Sequence, residues 1–267
     1  MIVLQNSNKL TLRLLPCDVV ARVSDVGHEH ADFELALARR LLDSGCPVAA
    51  PEPRGRRRGH RIDGFEISLW TYHETATAPI TPVAYAAALE RLHSGMASVD
   101  ARVPHVTDRI AGAERLVTNP ILTPSLTPDD RLLLVTTLEQ SRRALRDFGA
   151  PEQLLHGEPH PGNLIGTAEG PVFIDLETCC RGPVEFDLAH VPFSASGHYH
   201  GVSPVLLDQC RRLVLAMVAA WRWDRRDELP HGEALGRSLT TALRGGSPWP
   251  TVDEVLRRRD TPEAGSI

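Results

Sequence analysis

One short segment of the chain concentrates residue types that can perform acid–base and metal chemistry. It reads His156-Gly-Glu-Pro-His-Pro-Gly-Asn163, and an apolar strand that follows it ends at Asp175, with Glu177 two residues later. Glu158 and Asn163 are five positions apart in a loop whose prolines keep it from being helical. Carboxylate and amide oxygens brought together by two such loops are the ligands that Mg²⁺ prefers, so the segment indicates magnesium-dependent phosphoryl transfer.

Each of these residues has a role in that chemistry. Asn163 and Asp175 are candidate metal ligands, because Mg²⁺ needs few protein ligands when phosphate oxygens and waters complete its shell. Glu158 is the candidate general base that takes the proton of an attacking hydroxyl. Glu177 is either a further metal ligand or an ordinary loop carboxylate. We expect His156 to hold the loop by hydrogen bonds.

Composition restricts the other possibilities. The 267 residues are 42% hydrophobic, and 29 basic against 34 acidic residues give a net charge of −5, which argues against nucleic acid as a partner. Of the basic residues 28 are arginine, and Lys9 is the only lysine. The Gly-Lys-Ser/Thr ending of a P-loop occurs nowhere, and a Schiff base would have to use Lys9.

We expect a cytoplasmic protein. The N-terminus does not resemble a signal peptide, and the longest apolar run, Leu213–Trp221, is too short to cross a membrane. The five cysteines are sparse and odd in number, as in a chain with reduced thiols.

The elements around the segment change in type along the chain. Alternating apolar residues predict strands at 9–15, 19–23 and 64–70, with a helix at 31–43 between the last two. Five later helices are predicted at 82–94, 128–147, 204–223, 231–243 and 251–259. Proline after Thr or Ser marks the start of the first three, and a capping box marks the start of the last. The sequence thus predicts a β-rich lobe at 1–74, a helical lobe at 75–259 with catalytic and metal loops at about 152–190, and a tail at 260–267.

The motifs together resemble the aminoglycoside phosphotransferase family. Its signature is His-Gly-Asp-x-His-x-x-Asn, then an apolar strand ending in Asp, then Gly-Pro and Asp-Leu-Ala, matched here by residues 156–163, Asp175, 182–183 and 187–189. Residues 89–93, Leu-Glu-Arg-Leu-His, match its upstream helix. The resemblance covers most of residues 5–190. It implies a two-lobed, protein-kinase-like α+β fold, ATP or GTP and Mg²⁺ as cofactors, and a small-molecule hydroxyl as the phosphate acceptor.

The resemblance also assigns the nucleotide-binding residues. A kinase binds the phosphates of its nucleotide with a strand lysine, which a glutamate on the next helix positions. The matching residues here are Arg22 and Glu34. A guanidinium can fork onto phosphate oxygens, so arginine is chemically suitable, although Arg22 is alternatively an exposed strand charge. Ser7 is a candidate phosphate contact. Lys9 lies near the start of the lobe, and we expect its replacement to have little effect.

Two departures from the family pattern leave an alternative open. Glu158 replaces the family's catalytic aspartate and moves the carboxylate by one methylene. Residues 5–8, Gln-Asn-Ser-Asn, stand where a glycine-rich phosphate flap is expected but contain no glycine, and the first strand looks almost absent. The protein is therefore either an active phosphotransferase or a non-catalytic nucleotide-binding relative.

The remaining candidates are weaker. Arg54–Arg61, with five arginines in eight positions, is an anion-binding patch or a solvated hairpin tip. We expect the adenine near Leu69–His73 and acceptor contacts near His198–His200. The histidine pairs 28/30 and 198/200 lack companion ligands at zinc spacing. The sequence does not indicate which hydroxylated acceptor is used or what the oligomeric state is.

Overall fold

The computed structural model describes residues 1–6, 9–26 and 31–260. These residues divide into two compact units. The first takes in the described residues within 1–103, 153–179 and 197–199, and the second takes in those within 104–152, 180–196 and 200–260. The loop segment 156–163 therefore belongs to the same unit as the N-terminal strands.

Five strands of the first unit form one antiparallel sheet in the order β1-β2-β3-β5-β4. Their bounds are Ile2–Asn6, Leu10–Arg13, Val19–Asp25, His60–Ile62 and Phe65–Thr71 for β1 to β5. Strand β3 pairs with β2, so that Arg22 faces Thr11, and on its other side with β5, so that Arg22 faces Ser68. Arg22 thus lies in a central strand that is held on both edges.

Helix α1, Ala31–Asp43, packs against β5 of this sheet. Its buried face contains Leu35, Leu37 and Leu41, as the apolar spacing requires. The same buried face includes Glu34, whose side chain is only 2% exposed. A carboxylate on the apolar stripe of a helix needs a cationic partner to stay charged.

The rest of the first unit is built around helix α2, Pro82–Met96. Thr81 caps it through a bond from the Ala84 amide, and Pro82 opens it, so the predicted start is confirmed. Helix α2 packs against strands β6, Gln153–Leu155, and β8, Gly170–Phe173. Strand β8 forms a hairpin with β7, Leu164–Thr167, and this hairpin leads directly to Asp175.

The second unit is mainly helical. Its elements are β9 Cys180–Gly182, α3 Val106–Thr118, α4 Pro128–Phe148, α5 Val184–Leu188, α6 Phe193–Ser196, α7 Pro204–Arg222, α8 Gly232–Gly245 and α9 Val252–Asp260. Helix α7 packs against α4 and α8, and its buried leucines and alanines make it the centre of this unit. Within the described ranges, no helix has both the length and the apolarity that crossing a bilayer requires.

The α+β fold is as predicted, with an N-terminal antiparallel sheet and a helical C-terminal part, but several elements were missed. The expectation that the first strand is almost absent is wrong, because β1 pairs with β2 over most of its length. Helix α3 was not predicted, since its N-cap is His105, which is not a usual cap residue. The predicted boundary at residue 74 stays a prediction.

Strand β4 also corrects the interpretation of the arginine-rich stretch. The hairpin tip is Asp63-Gly64, whose φ angles of +50° and +86° suit a tight two-residue turn. The arginines at 54–58 precede β4, and Arg54, Arg56, Arg57, Arg58 and Arg61 are all exposed. They form a solvated connection into the sheet edge, and the Asp-Gly pair is the signal that would have located the turn.

Candidate functional site

Five charged side chains from separate parts of the first unit meet in one place, and we call them the charged cluster. They are Lys9 before β2, Arg22 in β3, Glu34 in α1, Asp175 after β8, and Glu177 in the following 3₁₀ turn Leu176–Thr178. The sheet register brings the two cations together, because Arg22 faces Thr11 and Lys9 lies two residues before Thr11. Helix α1 packs against the 3₁₀ turn and so brings in Glu34.

The charges alternate along the cluster. Arg22 donates a hydrogen bond from one terminal guanidinium nitrogen to Glu34 at 2.8 Å and from the other to Asp175 at 2.7 Å. Lys9 Nζ bonds the second oxygen of Glu34 at 3.2 Å and also bonds Glu177. Each cation therefore joins two carboxylates, and Glu34 is the carboxylate that both cations share.

Burial and charge act against each other on these groups. Burial alone would raise the pKa of Asp175, but the charge and hydrogen bond of Arg22, with help from Lys9, hold that pKa below its ordinary value. The pKa of Glu34 lies above its ordinary value, because the effect of burial exceeds the opposite effect of the charges on Arg22 and Lys9. Burial would lower the pKa of Arg22, but its two carboxylate partners raise it, so Arg22 stays cationic.

The loop 156–163 holds itself in position by neutral hydrogen bonds. His156 is completely buried, and its Nε2 lies 2.9 Å from the carbonyl oxygen of Ile174, so this nitrogen carries the proton. Its Nδ1 then accepts from the Glu158 amide at 3.4 Å. Gly157 between them has φ +91°, a conformation that a side chain would strain. The predicted holding role of His156 is confirmed.

The same loop fixes the backbone in front of Asp175. The carbonyl of Asn163 accepts from the Ile174 amide at 3.0 Å, while His156 binds the Ile174 carbonyl. The Asn163 side chain donates through Nδ2 to the carbonyl of Glu158 at 3.0 Å. Its remaining polar atom, Oδ1, is the one that would bind a cation.

Asp175 itself has an unusual backbone conformation. Its φ of +67° and ψ of +69° lie in the left-handed region, which aspartate tolerates better than most residues but which still costs energy. Residues in such conformations are common at functional sites. Asn163 and His156 anchor Ile174, the residue before Asp175, and Arg22 holds the Asp175 carboxylate, so the surrounding contacts compensate for the strain.

The cluster fits a hard divalent cation. The carboxylate oxygens of Glu34, Asp175 and Glu177 lie within 4.8 Å of one another, and three carboxylates are suitable ligands for Mg²⁺. Asp175 and Glu177 were predicted as ligands, whereas Glu34 was predicted only as the partner of Arg22. The structure thus brings three carboxylates close enough together to share one cation.

The structure places the sequence candidates as follows. Arg22, Glu34, Asp175 and Glu177 are in direct contact through the cluster, and Arg22 is 16% exposed, so the alternative of an exposed strand charge is wrong. Glu158 and Asn163 lie on the loop that holds Ile174, whereas Ser7 lies outside the described residues.

Lys9 lies in the charged cluster, although we expected its replacement to have little effect. Its ammonium bonds Glu34 and Glu177. One signal in the sequence was available. Lys9 begins the predicted strand 9–15, two residues before Thr11, and alternation along a strand places it on the same face as Thr11, which faces Arg22.

Two further predicted regions have defined surroundings. In the predicted adenine region, the amides of Thr71 and Tyr72 donate to the carbonyls of Ala50 and Asp18. In the predicted acceptor region, the Tyr199 hydroxyl lies 2.8 Å from Nδ1 of the buried His93. His28 and His30 lie outside the described residues.

Solved structures with the same fold include small-molecule kinases. An amicoumacin kinase in complex with AMP-PNP, Ca²⁺ and Ami superposes with a TM-score of 0.68 at 12% identity, covering 95% of this chain and 91% of that one. A spectinomycin phosphotransferase bound to ADP and spectinomycin gives 0.63 at 14%, covering 97% and 92%. The choline kinase of Streptococcus pneumoniae gives 0.64 at 15%, covering 90% of each. At these identities the similarity establishes the fold.

Sequence comparison gives the family directly. No curated protein matches the chain in sequence. The model of the phosphotransferase enzyme family, APH, matches residues 8–229, which include every member of the charged cluster and the whole of the loop 156–163. This chain therefore belongs to the phosphotransferase enzyme family.

Proposed function

We propose that the protein transfers the γ-phosphoryl group of ATP or GTP to a hydroxyl group of a small molecule, with Mg²⁺ as the metal. The observation that carries the proposal is the charged cluster, in which Arg22 joins Glu34 to Asp175 beside a third carboxylate, Glu177. This is the combination of a cationic phosphate clamp and hard metal ligands that phosphoryl transfer needs.

The residues divide the work by their chemistry. Arg22, held by Glu34, binds nucleotide phosphates through its guanidinium, and Ser7 is a further phosphate contact. Asp175, Glu177 and the Oδ1 of Asn163 hold Mg²⁺, which when bound neutralises phosphate charge. Glu158 takes the proton of the acceptor hydroxyl. The hydroxyl oxygen forms a bond to the γ-phosphorus, and the bond between that phosphorus and the leaving nucleoside diphosphate breaks.

The acceptor belongs to the class of hydroxylated small molecules. Neighbours with this fold include kinases for amicoumacin and choline and a phosphotransferase for spectinomycin. Residues 188–267 contain nine acidic and ten basic side chains, so they do not favour a polycationic aminoglycoside. We propose screening antibiotics, amino alcohols and sugars as pools.

The test compares the protein with a Glu158→Gln variant in that screen. We expect the variant to lose on the order of a hundredfold to ten-thousandfold in kcat, the usual contribution of a general base, while nucleotide affinity changes little. Glu169→Gln is the matched control, because Glu169 is an exposed carboxylate at the turn of the β7–β8 hairpin. Equal turnover by the protein and Glu158→Gln would contradict the base assignment.

A Glu158→Asp variant tests the alternative of a non-catalytic relative. If the site is spaced around glutamate, aspartate shortens the reach of the base and lowers turnover. If glutamate instead marks a lost activity, aspartate restores turnover that the natural chain lacks. Nucleotide binding with no turnover in either form would favour the non-catalytic alternative.

A further inference from the structure

The only lysine of the chain occupies the centre of the proposed nucleotide site. Lys9 Nζ bonds Glu34 and Glu177, and its side chain is only 13% exposed. Both partners belong to the set of three carboxylates that fits a divalent cation. Lys9 is therefore paired with groups that the proposed reaction requires for another purpose.

We infer that Lys9 is a second phosphate-binding cation of the nucleotide site, acting beside Arg22. The inference rests on the proposed function. When Glu177 and Asp175 bind a divalent metal, the ammonium and the metal compete for the same carboxylate oxygens and repel one another. Lys9 then loses Glu177 as a partner and keeps Glu34, and the anion that arrives with the metal and can replace Glu177 is the nucleotide phosphate chain.

The two cations differ in how freely they can make that exchange. Arg22 uses both terminal nitrogens of its planar fork, at 2.8 Å and 2.7 Å, and sits in a central strand paired on both sides. Lys9 precedes β2 and carries its charge on a flexible four-carbon stem. Arg22 is thus a fixed clamp, and Lys9 is the cation that can follow the phosphates.

The preceding segment gives a reason for a second cation. A glycine-rich turn lets backbone amides approach nucleotide phosphates closely. Residues 5–8, which immediately precede Lys9 in the sequence, read Gln-Asn-Ser-Asn and include no glycine. Lys9 supplies by side-chain charge part of what the backbone of a glycine-rich turn would supply.

The test is calorimetric titration of the full chain and its Lys9→Met variant with Mg·ADP, with a non-hydrolysable Mg·ATP analogue and with adenosine. We expect Lys9→Met to bind both phosphorylated ligands roughly tenfold to a hundredfold more weakly, the usual effect of losing a hydrogen bond to a charged group, and to bind adenosine as before. Lys9→Arg keeps the charge and should retain most of the affinity.

Arg61→Met is the matched control, since it removes a cation of the same unit that is 51% exposed and pairs with Glu66, which is not a member of the cluster. If Lys9 merely neutralises Glu34 and Glu177, Lys9→Met will bind Mg·ADP as tightly as the natural chain or more tightly, which overturns the inference alone. A natural chain that binds no nucleotide overturns the proposed function and the inference with it.

A second measurement uses the natural chain and does not depend on the folding of a variant. An acyl-phosphate derivative of ATP acylates a lysine next to its terminal phosphate. The amine attacks the acyl carbonyl, an amide forms, ATP leaves, and the amine proton goes to solvent. Because Lys9 is the only lysine, mass spectrometry reads one side chain. We expect acylation that excess Mg·ATP suppresses, and an unmodified Lys9 under saturating probe would overturn the inference.

Discussion

The charged cluster and the loop 156–163 lie in the same unit and are held by different forces. In the cluster, Lys9 and Arg22 alternate with three carboxylates, and every contact that the structure gives between members is an ion pair. In the loop, His156 and Asn163 form hydrogen bonds between neutral groups, most of them to backbone. The cluster depends on charge, whereas the loop depends on geometry.

This difference matches what each part has to do. A charged ligand can exchange partners with ion pairs, because each carboxylate or cation released from one contact can form another with the ligand. Neutral bonds to backbone groups offer a nucleotide no such exchange, so the loop keeps Ile174 and therefore Asp175 in place. A rigid neutral support beside an exchangeable charged part is an arrangement suited to binding a highly charged substrate.

The largest expected effect on stability comes from Arg22→Met. Methionine preserves much of the volume and removes the cation shared by Glu34 and Asp175. Breaking a buried pair from one side leaves an uncompensated carboxylate, and we expect a loss of roughly 3 kcal/mol in the free energy of unfolding at pH 7. Urea denaturation followed by circular dichroism measures it.

A double-mutant cycle sharpens that result. Glu34→Gln in the Arg22→Met background removes the buried carboxylate that lost one of its two cationic partners and kept only Lys9. We expect it to recover a large part of the lost stability, giving a coupling energy on the order of 1–3 kcal/mol. Additive effects of the two substitutions would show that the charge in the cluster does not control its stability.

His156→Leu tests the neutral side of the comparison. Leucine leaves the carbonyl of Ile174 and the amide of Glu158 without their buried imidazole partner. We expect a loss of about 2 kcal/mol from the unsatisfied backbone groups. The loss should be the same in 0.05 M and 0.5 M salt, and a strong salt dependence of unfolding would contradict the neutral assignment.

Asp175→Asn tests the pH dependence of stability that distinguishes the charged cluster from the loop 156–163. Asparagine also tolerates the left-handed conformation at φ +67°, so the substitution mainly removes charge and costs about 1–2 kcal/mol at pH 7. Because Arg22 and Lys9 hold the pKa of Asp175 below its ordinary value of 3.8, this stability is complete above pH 3.8 and is lost as the pH falls below it.

Unfolding curves between pH 3 and pH 7 check the expected sign. The difference between the natural chain and Asp175→Asn should stay constant from pH 7 to pH 5 and should shrink toward pH 3. A difference that grows as the pH falls would mean that burial, and not the ion pair with Arg22, dominates the titration of Asp175.

The sequence correctly predicted those helices whose first residues are determined by neighbouring residues in the chain. Thr81-Pro82, Thr127-Pro128 and Ser203-Pro204 each begin a helix where the cap residue and proline indicate. Helix α3 was missed because His105 performs the capping through its imidazole, together with Asp108. Strand β1 was missed because it is exposed throughout and has no buried face to produce a periodic pattern.

The candidate site was predictable only in part for a physical reason. Spacing within one loop placed Glu158 and Asn163 together, and the strand pattern placed Asp175 at a strand end. The contact between Lys9 and Glu177 joins residues 168 positions apart, and no local pattern encodes it. Sheet register and helix packing bring these two residues together, so Lys9 was assigned by its position in the chain and not by its neighbours in the fold.

The smallest expected effect comes from Tyr85→Phe. The Tyr85 hydroxyl, on helix α2, donates to the carbonyl of Pro159 in the loop, and phenylalanine keeps the ring that lies against Phe173. We expect a loss of about 1 kcal/mol, the usual value of one neutral hydrogen bond, and it should be the same at pH 4 and pH 7 since neither group titrates there. A loss that changed with pH like that of Asp175→Asn would show that the loop is coupled to the charged cluster, and the distinction between a neutral support and an exchangeable charged part would fail.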